Sequence, residues 1–216
     1  MPNPLLIFPF GGNAREAAAL IHNDTNLLQQ WQIVAFMDDN PQQQGQEYLN
    51  IPVQSPAEAL NQYPHAKVLA AVGNPNNYLM RRSIIDKLKL SEQRFAQIIS
   101  SSAFIAGDAQ IGTNVLIAPH VVVGAGARIG NHCIILANTT IAHDVHVEDF
   151  CCIGANVVIS GSVKLEENSY VGSGTCIKDG ITIGKKALLG LGSVVINNVE
   201  EDAVVAGNPA RELIRK

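Results

Sequence analysis

The sequence predicts a small α/β domain over residues 1–100, built like half of a doubly wound, Rossmann-like sheet, followed by a parallel β-helix with a short tail over 101–216. Three observations predict it. In the first hundred residues short apolar runs alternate with glycine turns and helix-like stretches. From Ile105 to Val195 every sixth residue is aliphatic, sixteen times in succession. The residue three places after each of these anchors is Asp, Asn, His or Gly in thirteen of the sixteen repeats, the types that best tolerate a positive φ and so can turn a corner.

The elements follow in order. Leu5 to Phe10 is an apolar strand, and Gly11-Gly12-Asn13 turns it into a helix-like run through Ile21. A second strand, Ile33 to Met37, ends at Asp38-Asp39. A third, Val68 to Val72, ends at Gly73-Asn74 ahead of a helix from about Asn77 to Leu88. Such alternation gives a parallel sheet, and ligands of these sheets bind beyond the carboxyl ends of the strands, where glycine turns let backbone amides meet phosphate. Gly11, Gly12, Asp38, Gly73 and Asn74 all fall there. The dinucleotide fingerprint is not met, because Pro9 and Ala14 or Arg15 stand where its first and third glycines belong. Tight βα turns and ordinary loop chemistry at Asp38-Asp39-Asn40-Pro41 account for the same residues without a ligand.

In the repeat, the residue four after each anchor, from Ala109 and Val115 to Ser193 and Val199, is always small or β-branched. A period of six fits neither a helix nor a hairpin. It fits a triangular coil in which each hexapeptide forms one side, three make a turn, and residue n stacks on n+18 at about 4.8 Å. Sixteen repeats make about five coils. The corner positions that depart from the pattern are Phe150, Ser162 and Lys186.

Composition narrows the function. A net charge of -4 offers no basic footprint for nucleic acid. No basic segment precedes a long apolar core at the start, and no apolar stretch approaches membrane length. A soluble, cytoplasmic protein with no membrane partner is expected. The four cysteines lack metal-type clustering. Cys133 and Cys151, one coil apart and inward by register, should stack in the core as reduced small hydrophobes.

Among the histidines, His120 and His132 hold corner positions that the repeat explains, while His22 and His65 read as surface residues. His143 sits two after its anchor, where no other repeat has a histidine, and its stacking neighbours are Ala125 and Gly161. An imidazole between two near-empty positions has room for a ligand, as a general base needs. Asp144 is a corner residue that the repeat alone accounts for, yet its adjacency lets a carboxylate fix the imidazole tautomer. His146, between Arg128 and Lys164 in the stack, reads as a solvated side chain.

The string Ile141-Ala142-His143-Asp144-Val145-His146-Val147-Glu148-Asp149-Phe150, with Ile159-Ser160-Gly161-Ser162-Val163 and Val205-Ala206-Gly207-Asn208-Pro209-Ala210-Arg211, resembles the bacterial sugar O-/N-acyltransferases of the hexapeptide-repeat type. Within them it is most similar to the N-acetyltransferases of nucleotide-linked 4-amino-4,6-dideoxy sugars, such as those of the bacillosamine pathway. The resemblance implies a left-handed β-helix, a homotrimer, acetyl-CoA as co-substrate in the groove between neighbouring prisms, and no metal. It implies transfer of acetyl to the 4-amino group of a nucleotide sugar, UDP-linked in the first instance. By the same resemblance His143 is the general base and Asp144 its acidic companion. Cys152, Gly161, Ser173, Gly190, Leu191 and Gly207 match the acetyl-CoA groove, and Gly11, Gly12, Asn13, Asp38, Asp39, Gly73 and Asn74 match the nucleotide-sugar pocket.

The chain departs from the pattern at four positions. Many relatives have glycine at Pro9 and histidine at Asn13, some have histidine at Cys152, and some have Glu at Asp144. O-acetylation of sialic acid or another sugar hydroxyl would use the same architecture and base. A β-helix metal enzyme of the carbonic anhydrase kind needs three converging histidines and a pair spaced five, whereas His143 and His146 are spaced three. The repeat by itself is architecture and would equally suit a non-catalytic scaffold.

Overall fold

The computed structural model describes residues 1–213. The last three residues of the expected second domain, 214–216, lie outside the described residues.

Residues 1–94 form a five-stranded sheet with helices. Strand β1 (Asn3–Phe8), helices α1 (Gly12–Asn23) and α2 (Thr25–Gln30), strand β2 (Trp31–Met37), the hairpin β3 (Glu47–Tyr48) and β4 (Ile51–Gln54), helix α3 (Pro56–Gln62), strand β5 (Lys67–Ala70) and helix α4 (Arg81–Asp86) follow in order. The sheet order is β3-β4-β2-β1-β5, parallel except for the β3 edge. The three expected strands are present, each displaced by two residues or fewer at its start. The helix expected from Asn77 to Leu88 is instead a 3-10 turn, Tyr78–Met80, running into the six-residue α4. The hairpin, α2 and α3 are elements that the sequence reading passed over. Helix α3 starts with a reciprocal cap in which the Glu58 amide donates to Ser55 Oγ and the Ser55 amide to Glu58.

From Ile98 onward the chain winds into a triangular prism, a few residues before the division drawn at residue 100. Its three faces are parallel ladders of two-residue strands in which n pairs with n+18, as Val122 does with Thr140 and Arg128 with His146. The aliphatic anchors and the residues four beyond them fill the interior. Where those positions are polar, the hydroxyl is satisfied inside the coil: Thr139 Oγ1 donates to Gly154 O at 2.8 Å and Ser193 Oγ to Gly190 O at 2.7 Å. Fourteen corners, from Asn114 to Gly192, carry a positive φ, including all three that depart from the favoured types. Phe150 adopts φ +62 because its ring is buried, stacked on His132 with centroids 4.5 Å apart and covered by the Arg82 guanidinium at 4.3 Å.

The three faces differ in what they present outward. One, which includes Leu116, Ile134, Cys152 and Tyr170, is covered by the α/β domain and shares a core with Ala14, Ala17, Ala18 and Ile21 of α1. The second presents Gln110, Arg128, His146, Lys164 and Thr182, with Lys164 bridging Glu148 and Glu166 at 2.9 and 3.0 Å. The third presents Phe104, Val122, Thr140, Val158, Cys176 and Val194 in one column. That column is apolar apart from Thr140, and Phe104 is 62% exposed. We call these the docked, polar and apolar faces.

Candidate active site

His143 and Asp144 stand at the corner where the apolar face turns into the polar face, just after Thr140–Ile141 and just before His146–Val147. The corner conformation of Asp144, φ +59, swings its carboxylate back to His143, whose Nδ1 lies 2.9 Å from Oδ2. A carboxylate only accepts, so Nδ1 donates and Nε2 keeps its lone pair. Neighbouring coils leave the space. A β-carbon on Gly161 would come within 2.6 Å of His143 Nε2, and one on Gly126 within 2.6 Å of Asp144 Oδ1. Two glycines one coil either side of the pair therefore give its side chains their room. The imidazole is 66% exposed, open to a reacting partner.

The other groove residues separate into two groups. Gly161 lies under His143, whereas Ser173, Gly190 and Leu191 lie at the opposite edge of the apolar face, on its corner with the docked face. Gly207 closes the last docked-face strand, Val204–Gly207. Ser173 Oγ accepts from the Ala155 amide at 3.1 Å, and Leu191 projects 76% exposed. Cys152 is buried in the domain junction, its thiol pushed up by burial despite the nearby Arg81 guanidinium. Its sulfur occupies the space that a side chain on Gly73 would need.

The seven pocket residues converge at the carboxyl ends of β1, β2 and β5. Because β2 and β5 flank β1 on opposite sides, the Gly11 and Gly73 turns border the point where the strand order reverses. Asn13 Nδ2 ties the two turns together, donating to Ala71 O at 3.2 Å and Gly73 O at 2.9 Å. Among the described residues, no atom beyond the adjoining backbone comes within 4 Å of where β-carbons on Gly11 and Gly12 would sit, so those glycines leave an open floor. Asp38 is buried and accepts from the Asn40 amide at 2.8 Å, while Asp39 is exposed. Sequence reasoning missed Asn114, whose side chain bonds both the N–H and C=O of Ala70 at 2.8 and 3.1 Å, and the fully buried Arg81. Neither stood out in the sequence, since Asn114 is an ordinary corner residue and Arg81 stands beside Arg82 in a run that also holds Ser83, Asp86 and Lys87.

Base and pocket are apart within one chain. The α/β domain rests on the docked face, and His143 stands on the prism edge opposite that face. Among the described residues no group of three His, Cys, Asp or Glu side chains could hold a metal ion, and no helix is long and apolar enough to cross a membrane. As expected, Cys133 and Cys151 are free, buried and stacked, and His146 is exposed between Arg128 and Lys164.

The sequence profile of the GMPPB C-terminal domain matches residues 95–205, just over half of the chain. The chain belongs to that family. The profile of the PglD N-terminal domain matches residues 4–88, so the two meet at the domain junction. The acetyltransferase domain of PglB from Neisseria gonorrhoeae, solved in complex with acetyl coenzyme A, superimposes with a TM-score of 0.84 at 25% identity, covering 99% of this chain and 100% of that one. A histidine variant of perosamine N-acetyltransferase from Caulobacter crescentus, solved with CoA and GDP-perosamine, gives 0.84 at 20% identity over 100% and 98%. WeeI from Acinetobacter baumannii gives 0.84 at 23% over 99% and 100%. These last two share the fold. No curated protein sequence matches the chain. Family and architecture are those the residues suggested, a left-handed β-helix of the sugar acyltransferase type behind a PglD-type α/β domain.

Proposed function

We propose that the protein is an acetyl-CoA-dependent N-acetyltransferase acting on the 4-amino group of a nucleotide-linked 4-amino-4,6-dideoxy sugar, with UDP the first nucleotide to test. The observation that carries the reading is the His143–Asp144 pair, oriented at 2.9 Å and seated over Gly161 with Nε2 free. Two neighbours of the same architecture support it, since their structures hold acetyl coenzyme A and CoA with GDP-perosamine respectively.

In this mechanism the sugar amine attacks the thioester carbonyl carbon. An N–C bond forms, the C–S bond breaks, His143 Nε2 takes the amine proton, and CoA leaves as thiol or thiolate. Asp144 holds Nδ1–H and steadies the imidazolium. No acyl-enzyme is required, and the buried Cys151 and Cys152 thiols, both pushed up by burial, are unsuited to form one. The open floor at Gly11 and Gly12 would take the nucleotide diphosphate on backbone amides at the start of α1.

The working form in this proposal is a homotrimer around the apolar face. Three copies related by a threefold axis along the prism bury the Phe104 to Val194 column, which otherwise leaves an apolar stripe in water. That packing sets the His143 edge of one prism beside the Ser173, Gly190 and Leu191 edge of the next. The next copy's α/β domain then faces the base, completing a site that neither chain holds alone.

CoA-thiol release from acetyl-CoA, followed over UDP-, dTDP- and GDP-linked 4-amino-4,6-dideoxy sugars and free sialic acid, tests the reading. Turnover on a nucleotide amino sugar is expected. Turnover on sialic acid alone would move the assignment to O-acetylation, and silence on all of them would overturn it.

A further inference from the structure

Arg81 heads the fully buried side chains by size, at 0% exposure. Buried charges are as a rule paired with an opposite charge. Among the described residues Arg81 forms no ion pair. Its Nε donates to Phe150 O at 3.0 Å and its Nη2 to His132 O, both carbonyls of positive-φ corners. Nη1 is fully buried and, among the described residues, has no hydrogen-bond acceptor. It lies beneath the Gly73 turn, 2.5 Å from where a β-carbon on that residue would sit, and Cys152 Sγ shares the same space. Burial keeps that thiol neutral, so it supplies no counter-charge. The acidic residues of the strand ends, Asp38 and Asp39, follow β2 on the far side of β1 from β5.

We propose that Arg81 is a positioning residue of the pocket, an uncompensated buried cation whose field passes through the side-chain-free Gly73 turn and draws the diphosphate of the nucleotide sugar to that rim. This rests on the nucleotide-sugar reading above. Arg81 does not touch the ligand: the glycine backbone lies between. The fork to Phe150 and His132 fixes the cation to two coils of the prism, so the charge stays put when ligand enters.

Titration calorimetry of UDP, dTDP and GDP against the full-length protein tests this. Arg81→Met should weaken the preferred diphosphate about tenfold or more, while acetyl-CoA and the uncharged nucleoside bind as to the wild type. Cys152→Asp places a carboxylate against Nη1 and leaves the fork intact. It should weaken the diphosphate likewise, without loss of thermal stability. Should Arg81→Met and Cys152→Asp both fail to fold, Arg81→Lys decides, because it keeps the charge and should hold diphosphate affinity within about threefold. Wild-type diphosphate affinity in folded Arg81→Met or Cys152→Asp overturns the role, as does a Lys variant that loses affinity tenfold. A wild-type protein that binds none of the three diphosphates overturns the nucleotide-sugar reading itself, and this assignment with it.

Discussion

At the scale of single residues, the imidazole of His143 keeps its position because Gly161, one coil on, has no side chain to put in its way. Removing a positioned base costs about 10² to 10⁴ in rate, so His143→Ala should lose that much kcat while its circular dichroism and melting stay those of the wild type. Gly161→Ala is the sharper test. Its methyl would meet the ring at 2.6 Å, and the displaced base should lower kcat at least about tenfold. On a His143→Ala background the same methyl should change nothing, and a further loss there would mean that Gly161 acts on the acyl donor instead. The sequence exposed His143 because the repeat could not explain it. Asp144 was half hidden, since a corner residue and a base partner look alike until the 2.9 Å contact is seen. Arg81 and Phe150 were not legible as a pair, because nothing local says that a cation in one domain will meet a corner carbonyl 69 residues away.

At the scale of elements, β5 is held at its end by prism corners. Asn114 turns at φ +52, bonds both backbone groups of Ala70, and donates a second Nδ2 proton toward His132 Nδ1 at 2.9 Å. His132 must accept there, so its proton sits on Nε2 facing Glu92 at 3.4 Å. Burial, opposed by Glu92, lowers the His132 pKa. The unfolded chain's histidine titrates near 6.5 and takes its proton first as the pH falls. The stability contributed by neutral His132 is therefore complete above that value and is lost progressively below it, toward the depressed folded pKa. Between about pH 7 and pH 5 the wild-type Tm should drop more steeply than that of His132→Gln, and parallel curves would remove the histidine from the junction's titration. Asn114→Ala leaves Ala70 unpaired and should cost about 1–3 kcal/mol, or roughly 2–4 °C of Tm for each kcal/mol in a chain of this size. The coils were readable because each hexapeptide carries its own anchor, filler and corner. The hairpin, α2 and α3 were not, since elements of two to seven residues hold too few periods to stand out. The Asn77 to Leu88 run was overread as one helix. Asn74 closes a turn ahead of the run, its side chain accepting from the Asn76 amide, and the 3-10 start, which has no side-chain cap, uses up three of the run's residues.

At the scale of the molecule, the sequence showed a prism but not which face meets a neighbour, because inward anchors look the same on all three. The outward residues make the distinction only once the ladders are in register: the docked face is covered, the polar face is charged, and the Phe104 to Val194 column is left bare. Val158, 44% exposed in mid-column, is the place to break the assembly. Val158→Glu should give monomers by light scattering and no turnover, although His143 is untouched. The decisive case is complementation. A chain lacking the base, His143→Ala, and a chain whose pocket floor is filled, Gly12→Trp, should each be inactive alone. Unfolded together and refolded as mixed trimers, they should regain activity, because a site that takes its base from one copy and its pocket from the next is intact wherever the pocket variant's His143 edge abuts the base variant's α/β domain. Random assortment makes about a quarter of the sites whole, by the cyclic order of a closed trimer. Were base and pocket to serve the same chain, every site in the mixture would carry one defect or the other and the activity would stay at zero.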